Sequence, residues 1–168
     1  SGFPAAAARD GHQSGWTSTL NRLGDLLDPR GSAGTITLFG DARSTYTRSA
    51  RMALAEKAIT YTLQTTAPHT PEQLAVHPFG RIPALRDGGI DVWETSAIVH
   101  YIDECFDTGT SLRPGSILER TRSLQWSSAI SSYLYDTMIR RYVLQMLFPR
   151  GEGGRPDRAV IDVALNEM

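Results

Sequence analysis

The stretch Ile82-Pro83-Ala84-Leu85-Arg86-Asp87-Gly88-Gly89-Ile90-Asp91-Val92-Trp93, followed at once by Glu94-Thr95-Ser96-Ala97-Ile98, decides the fold. Two short apolar runs flank Asp87-Gly88-Gly89, the turn chemistry of a β-hairpin. Glu94-Thr95-Ser96 then opens a helix whose Ile98, Tyr101, Ile102 and Cys105 share one apolar face. Upstream, Thr35-Ile36-Thr37-Leu38-Phe39 alternates β-branched and apolar residues before Gly40-Asp41, a strand running into a turn. Ser44 or Thr45 caps the helix that follows, with Ala50, Leu54 and Ala58 facing inward and Arg48, Arg51, Glu56 and Lys57 facing water. Tyr61-Thr62-Leu63-Gln64-Thr65 is a second strand, and strand, helix, strand with short links makes a parallel crossover. A loop rich in Pro, His and Thr and a short helical piece near Pro71 to Val76 lead into the hairpin. The expectation is an α/β domain over residues 34–106, with one mixed four-stranded sheet covered by helices on both faces.

Outward from this domain the pattern changes. Residues 107–115 carry Thr, Gly, Ser and Pro and read as a linker. Residues 116–168 form an all-α region, in which Trp126, Ile130, Leu134, Met138, Tyr142 and Met146 recur every four residues along one long helix up to Phe148-Pro149. A polar loop with Gly151, Gly153, Gly154 and Pro156 precedes a last helix from about Asp157. Residues 1–33 read as a loosely ordered extension with one amphipathic stretch, Trp16, Leu20, Leu23 and Leu27. The first residue is not Met and the last ones still follow a helical pattern, so a fragment with an incomplete helical region is expected.

Composition narrows the function. Among 168 residues, Lys+Arg 17 against Asp+Glu 18 give a formal net charge of -1, which supplies no global field to hold nucleic acid or an acidic membrane. A hydrophobic share of 40% is enough to build a core. One cysteine, Cys105, cannot form an internal disulfide, and no apolar run approaches the roughly 20 residues of a membrane span. These point to a cytoplasmic protein.

Three features carry chemistry. Ser44 stands at a helix start, where unpaired N–H groups and the positive end of the macrodipole favour a thiolate and a hydroxyl can donate to sulfur. The plainer use of Ser44 is capping, and Thr45 and Tyr46 compete for either task. Pro83 begins a strand; were Ile82-Pro83 cis, the backbone of Ile82 would be displayed at the sheet edge for an extended peptide, although about 1 X-Pro bond in 20 is cis. Glu94-Thr95-Ser96 offers a carboxylate for an amine and hydroxyl and N–H groups for a carboxylate, the two ends of an α-amino acid. A plain N-cap is the commoner use of such residues.

Residues 35–106 resemble the amino-terminal, thioredoxin-like domain of cytosolic glutathione transferases, especially the serine-type phi, theta and zeta classes. Leu38-Phe39-Gly40 through Ser44-Thr45-Tyr46-Thr47-Arg48 is similar to the phi-like segment whose serine activates the glutathione thiol. Pro78-Phe79-Gly80-Arg81-Ile82-Pro83 resembles the family's asparagine-proline-x-glycine-x-valine-proline block with its cis proline. Glu94-Thr95-Ser96-Ala97-Ile98 resembles its glutamate-serine-x-alanine-isoleucine motif. His77 stands for the usual asparagine and Thr95 for the usual serine.

The resemblance implies that Ser44 donates to the glutathione sulfur, that Ile82 before cis Pro83 pairs with the cysteinyl unit, and that Glu94 and Thr95 hold the γ-glutamyl end. It places Arg81 near a glutathione carboxylate and His69 near the glycyl one. Tyr46, Tyr133 and Arg140, with Tyr135 and Tyr142, are candidates for the second-substrate pocket, though core packing or dimer contact is the plainer use of each. Glutathione is then a co-substrate and a hydrophobic electrophile the second one, with no metal or other cofactor, and the full-length protein is a homodimer. Two rivals stand beside this. A non-catalytic module of the same shape, used for dimerisation or docking, would usually lose the thiol-activating residue and the γ-glutamyl site. A thiol oxidoreductase would need a cysteine where Ser44 stands.

Overall fold

A computed structural model describes residues 35–168. The expected extension, residues 1–33, lies outside the described residues. The remainder divides into a first unit that ends at Leu112 and a second that begins at Arg113.

In the first unit the strands are β1 (Ile36–Phe39), β2 (Tyr61–Gln64), β3 (Ala84–Asp87) and β4 (Ile90–Trp93), in the order β2-β1-β3-β4. β1 runs parallel to β2 and antiparallel to β3, and β3 and β4 form the hairpin around Gly88-Gly89. Gly88 has φ 56, a conformation open to glycine at little cost. The helices are α1 (Thr45–Glu56), α2 (Pro71–Leu74) and α3 (Thr95–Cys105). α1 packs on α3, and Ala50, Ala53 and Leu54 meet Ile98 and Ile102 over Ile36, Leu38 and Leu85 of the sheet. A smaller cluster of Phe39, Val76 and Ala84 forms beside the α2 segment. The fold is the thioredoxin-like α/β arrangement expected from the sequence, with a mixed sheet and helical cover, and a helical region follows it.

Two expectations for α1 need correction. Ala58 lies past the helix end, at φ 53, and is exposed. Lys57 does not face water: its side chain is 5% exposed and its Nζ lies 3.1 Å from Asp103 Oδ1. The amphipathic pattern assigned Lys57 outward by its charge, whereas α3 supplies a carboxylate that lets it be buried. The segment after α3 closes over the same place. Asp103 Oδ1 also accepts the Leu112 N–H, Thr108 Oγ1 donates to the Lys57 carbonyl, and the Thr110 N–H donates to the Glu56 carbonyl.

The second unit contains α4 (Ile117–Ala129), a π-wound segment (Ile130–Val143), α5 (Leu144–Leu147), a 3-10 turn (Glu152–Gly154) and α6 (Arg158–Glu167). α4 starts with a reciprocal box: Ser116 Oγ accepts the Glu119 N–H while the Glu119 carboxylate accepts from Ser116. Asp157 caps α6 by accepting the Ala159 and Val160 N–H groups. α6 packs on the π-wound segment, and Arg141 there bridges to both Asp136 and Glu167. The apolar stripe lies largely exposed. Trp126 is 64% exposed, and Ile130, Leu134, Met138 and Met146 are exposed as well, while Thr137, Ile161 and Ala164 are the buried residues. α6 covers the line through Thr137 instead.

Candidate active site

The site is assembled by the register of the sheet. Phe39, Ala84 and Trp93 are partners in one row across β1, β3 and β4. The chain leaves β1 at Phe39 toward Ser44, enters β3 through Ile82-Pro83, and leaves β4 at Trp93 into Glu94. Three segments far apart in sequence thus emerge from the same end of the sheet. β3 is an interior strand, so Ile82 stands at the end of the sheet rather than at its lateral edge.

Ser44 is the N-cap of α1, with φ -61 and ψ 129, and its Oγ accepts the Thr47 N–H at 3.4 Å. Capping uses an oxygen lone pair, so the hydroxyl proton stays available for donation. The turn before it is fixed by Asp41. The Asp41 carbonyl accepts the Ser44 N–H at 3.0 Å, and its carboxylate accepts both the backbone N–H and the guanidinium of Arg43. The hydrogen bonds from Arg43 hold the Asp41 carboxyl at a pKa of about 2. Thr45 is the first helical residue and Tyr46, in the same turn, is half-buried.

The Ile82-Pro83 peptide is cis, so the rarer alternative holds. Pro83 is buried, Ile82 half-buried and Arg81 exposed. The loop leading to them is braced from within: Gln73 is fully buried and its Nε2 donates to the Arg81 carbonyl at 2.6 Å. The His69 N–H donates to the Gly80 carbonyl at 2.7 Å, and Gly80, at φ 60, leaves space where a Cβ would lie 2.9 Å from His69 Nδ1. Gln73 was not singled out from the sequence. Its signal is a polar residue on the short helix α2 with no reason to be buried there except a partner beyond its own element.

Glu94 precedes α3 at φ 70, and its side chain makes no capping bond. The plain N-cap reading is therefore wrong for Glu94. A non-glycine residue at positive φ is uncommon, and the carboxylate, freed from capping, is 61% exposed for other use. Thr95, the first residue of α3, is half-buried. His77, which sequence reading treated as a tolerated replacement, lies 2% exposed with its Nε2 3.9 Å from Glu94 Oε1. Burial pushes the His77 pKa below its ordinary value, with the Glu94 carboxylate opposing that shift.

Ser44, Arg81, Ile82, Pro83, Glu94 and Thr95 therefore all belong to one end of one sheet. Tyr46 belongs to the same unit as these. Tyr133 and Arg140 lie in the π-wound segment of the second unit, Tyr133 73% exposed and Arg140 with its guanidinium 5.9 Å from the ring centre of Tyr135. Cys105 ends α3 and is partly exposed, so it is not a core thiol. Among the described residues no group of His, Cys, Asp and Glu is placed to hold a metal ion, and no helix is long and apolar enough to cross a membrane.

Known proteins resemble this chain in sequence and in fold. The sequence profile described as Glutathione S-transferase, N-terminal domain, matches residues 43–105. A glutathione S-transferase of Silene vulgaris is 29% identical over 136 residues, covering 76% of this chain and 62% of that protein. The crystal structure of poplar glutathione transferase F1 superposes with a TM-score of 0.69 at 27% identity, over 80% of this chain and 64% of the other. A theta class glutathione S-transferase from Xanthomonas axonopodis pv. citri, solved with glutathione bound, gives 0.68 at 28% identity, over 79% and 64%. The chain spans less than two thirds of the length of each of these proteins. Residues 43–105 thus match the amino-terminal domain of glutathione S-transferases, and the chain is similar to these proteins in sequence and in fold.

Proposed function

We propose that this chain binds glutathione and activates its thiol for attack on an electrophilic small molecule. The convergence of Ser44, Ile82-Pro83 and Glu94-Thr95 at one end of the sheet carries the reading. In it, the Glu94 carboxylate takes the γ-glutamyl ammonium, and the Thr95 hydroxyl with the N–H groups that open α3 takes the α-carboxylate. Ile82 pairs through its backbone with the cysteinyl unit, as extended peptides do with strand residues. Arg81 offers a charge to a glutathione carboxylate, and His69 lies toward the glycyl end.

The sulfur then lies at the start of α1. The Ser44 hydroxyl proton and the α1 N–H groups stabilise the thiolate over the thiol, which loses its proton to solvent. The thiolate attacks the electrophilic carbon, a sulfur–carbon bond forms, and the leaving group departs with its electron pair. The second substrate is a hydrophobic electrophile and the assembled protein a homodimer. The retention of both Ser44 and the Glu94-Thr95 pair favours an enzyme over a non-catalytic docking module.

The test is the ionisation of bound glutathione, followed by thiolate ultraviolet absorbance across pH. Ser44→Ala should raise the pKa of the bound thiol by about 1 to 2 while calorimetry shows nearly unchanged affinity for glutathione. An unchanged thiol pKa would move the role to Tyr46 or to the backbone. Absence of any heat of binding would remove the function altogether.

A further inference from the structure

The Glu94 carboxylate owes its direction to something other than capping, and the imidazole beneath it is set up to supply that direction. The Nδ1 of His77 accepts the backbone N–H of Phe79 at 3.2 Å. An imidazole nitrogen that accepts carries no proton, so the neutral ring bears its hydrogen on Nε2. That nitrogen is the one facing Glu94 Oε1, at 3.9 Å. The ring cannot turn away easily. Trp93 lies against it with centroids 5.3 Å apart and Phe79 meets it edge-on at 6.1 Å, while Phe79 and Trp93 contact each other. The side chain is buried and cannot be satisfied by bulk water.

We propose that His77 is a positioning residue whose Nε2–H directs the Glu94 carboxylate at the primary ammonium of an incoming γ-glutamyl group. This rests on the glutathione reading above and names a residue behind its amine-binding end. At 3.9 Å the contact is longer than a hydrogen bond. The exposed carboxylate closes on Nε2–H when the ammonium draws on its other oxygen. The charged groups facing His77 are Glu94, which favours protonation of the ring, and Arg81, which opposes it; burial also opposes it, so the ring remains a neutral donor.

The test uses the 168-residue chain and two tripeptides, glutathione and its glutaryl analogue, in which hydrogen replaces the α-amino group. His77→Phe keeps a ring of similar size but removes the donor. Calorimetry should show glutathione binding weakened roughly tenfold, the glutaryl analogue changed by less than about twofold, and His77→Gln, which restores a donor, recovering part of the loss. Long-range nitrogen–proton NMR on the ligand-free wild type should show the Nε2–H tautomer of His77, and Glu94→Gln should move the His77 ring resonances. An Nδ1–H tautomer, or an equal loss for both tripeptides, would overturn the inference while leaving glutathione binding in place. A wild-type chain that gives no heat with glutathione is a different failure, since it removes the function on which the inference stands. The NMR arm needs no variant of His77, so an unfolded His77→Phe protein does not shield the proposal.

Discussion

Ser44 caps α1, and the proposed thiol activation can be separated from that role, because capping uses its oxygen as an acceptor while activation would use its proton. Ser44→Ala removes both and should cost about 1 kcal/mol of stability through the lost cap. Ser44→Asp retains an acceptor and adds a charge that suits a helix start, so its urea midpoint should stay close to wild type. Its carboxylate has no proton to give and repels a thiolate, so the bound thiol should ionise at higher pH than in Ser44→Ala. Urea unfolding and thiolate absorbance on both variants separate the roles; a thiol pKa that follows stability instead would reduce Ser44 to a cap. Asp41, whose carbonyl accepts the Ser44 N–H, gives a pH dependence. Its folded-state pKa of about 2 lies below the ordinary 3.8, so the unfolded chain binds the proton more readily as pH falls. The stabilisation is present above about 4 and is lost as pH drops toward 2. It should be small, since the Arg43 guanidinium is 74% exposed. In Asp41→Asn the urea midpoint should sit slightly below wild type at neutral pH, and that gap should close over the same acid window.

At the scale of elements, the buried Lys57–Asp103 pair joins the end of α1 to α3 and to the segment Thr108 to Leu112. Removing one partner leaves a charge in a buried place, and Asp103→Ala also frees the Leu112 N–H. A loss of about 3 kcal/mol is expected. Lys57→Met with Asp103→Leu should recover most of it, because two apolar side chains leave no charge uncompensated. Denaturation midpoints of the three proteins decide this, and a double variant no better than Asp103→Ala would mean that the lost carboxylate acceptor for the Leu112 N–H matters more than the charges. Gly109 belongs to the same clasp. It has φ +66, and a Cβ there would lie 2.6 Å from Lys57 Cα and collide with the Glu56 carbonyl. The elements themselves were legible: β1 to β4, α1 and α3 follow from periods of two and about four with Gly, Pro and Asp at the breaks. Lys57 was not. Period assigns a lysine to solvent, and the carboxylate that reverses the assignment lies in α3, beyond any local window. Glu94 shows the same limit at the site. The motif nominates Glu94 for the site, but its positive φ and the lack of a capping bond belong to the place where the chain leaves β4 and are not written in the motif.

For the molecule as a whole, the two units differ in how far the sequence could be read. The first presents its core as alternation in strands and spacing in helices, and Leu38, Leu54, Leu85, Ile98 and Ile102 are fully buried. In the second, the four-residue stripe from Trp126 to Met146 is largely exposed, and the buried positions are Thr137 in the π-wound segment and Ile161 and Ala164 in α6. Hydrophobic spacing marks a face that needs cover but does not say which neighbour supplies it. This difference has a measurable consequence. If the stripe were core, Trp126→Ser would cost several kcal/mol; on the exposed face it should change stability by no more than about 0.5 kcal/mol. Ile161→Ala, at 1% exposure, should instead cost about 3 kcal/mol, because it opens a cavity where α6 meets the π-wound segment. An exposed apolar stripe should also bind a hydrophobic fluorescent dye in the native state, and Leu134→Glu together with Trp126→Ser should reduce that binding without unfolding the chain. Unfolding midpoints and dye titrations on the same samples settle the matter. A severe loss of stability in Trp126→Ser would restore the stripe to the interior and overturn the packing of the second unit.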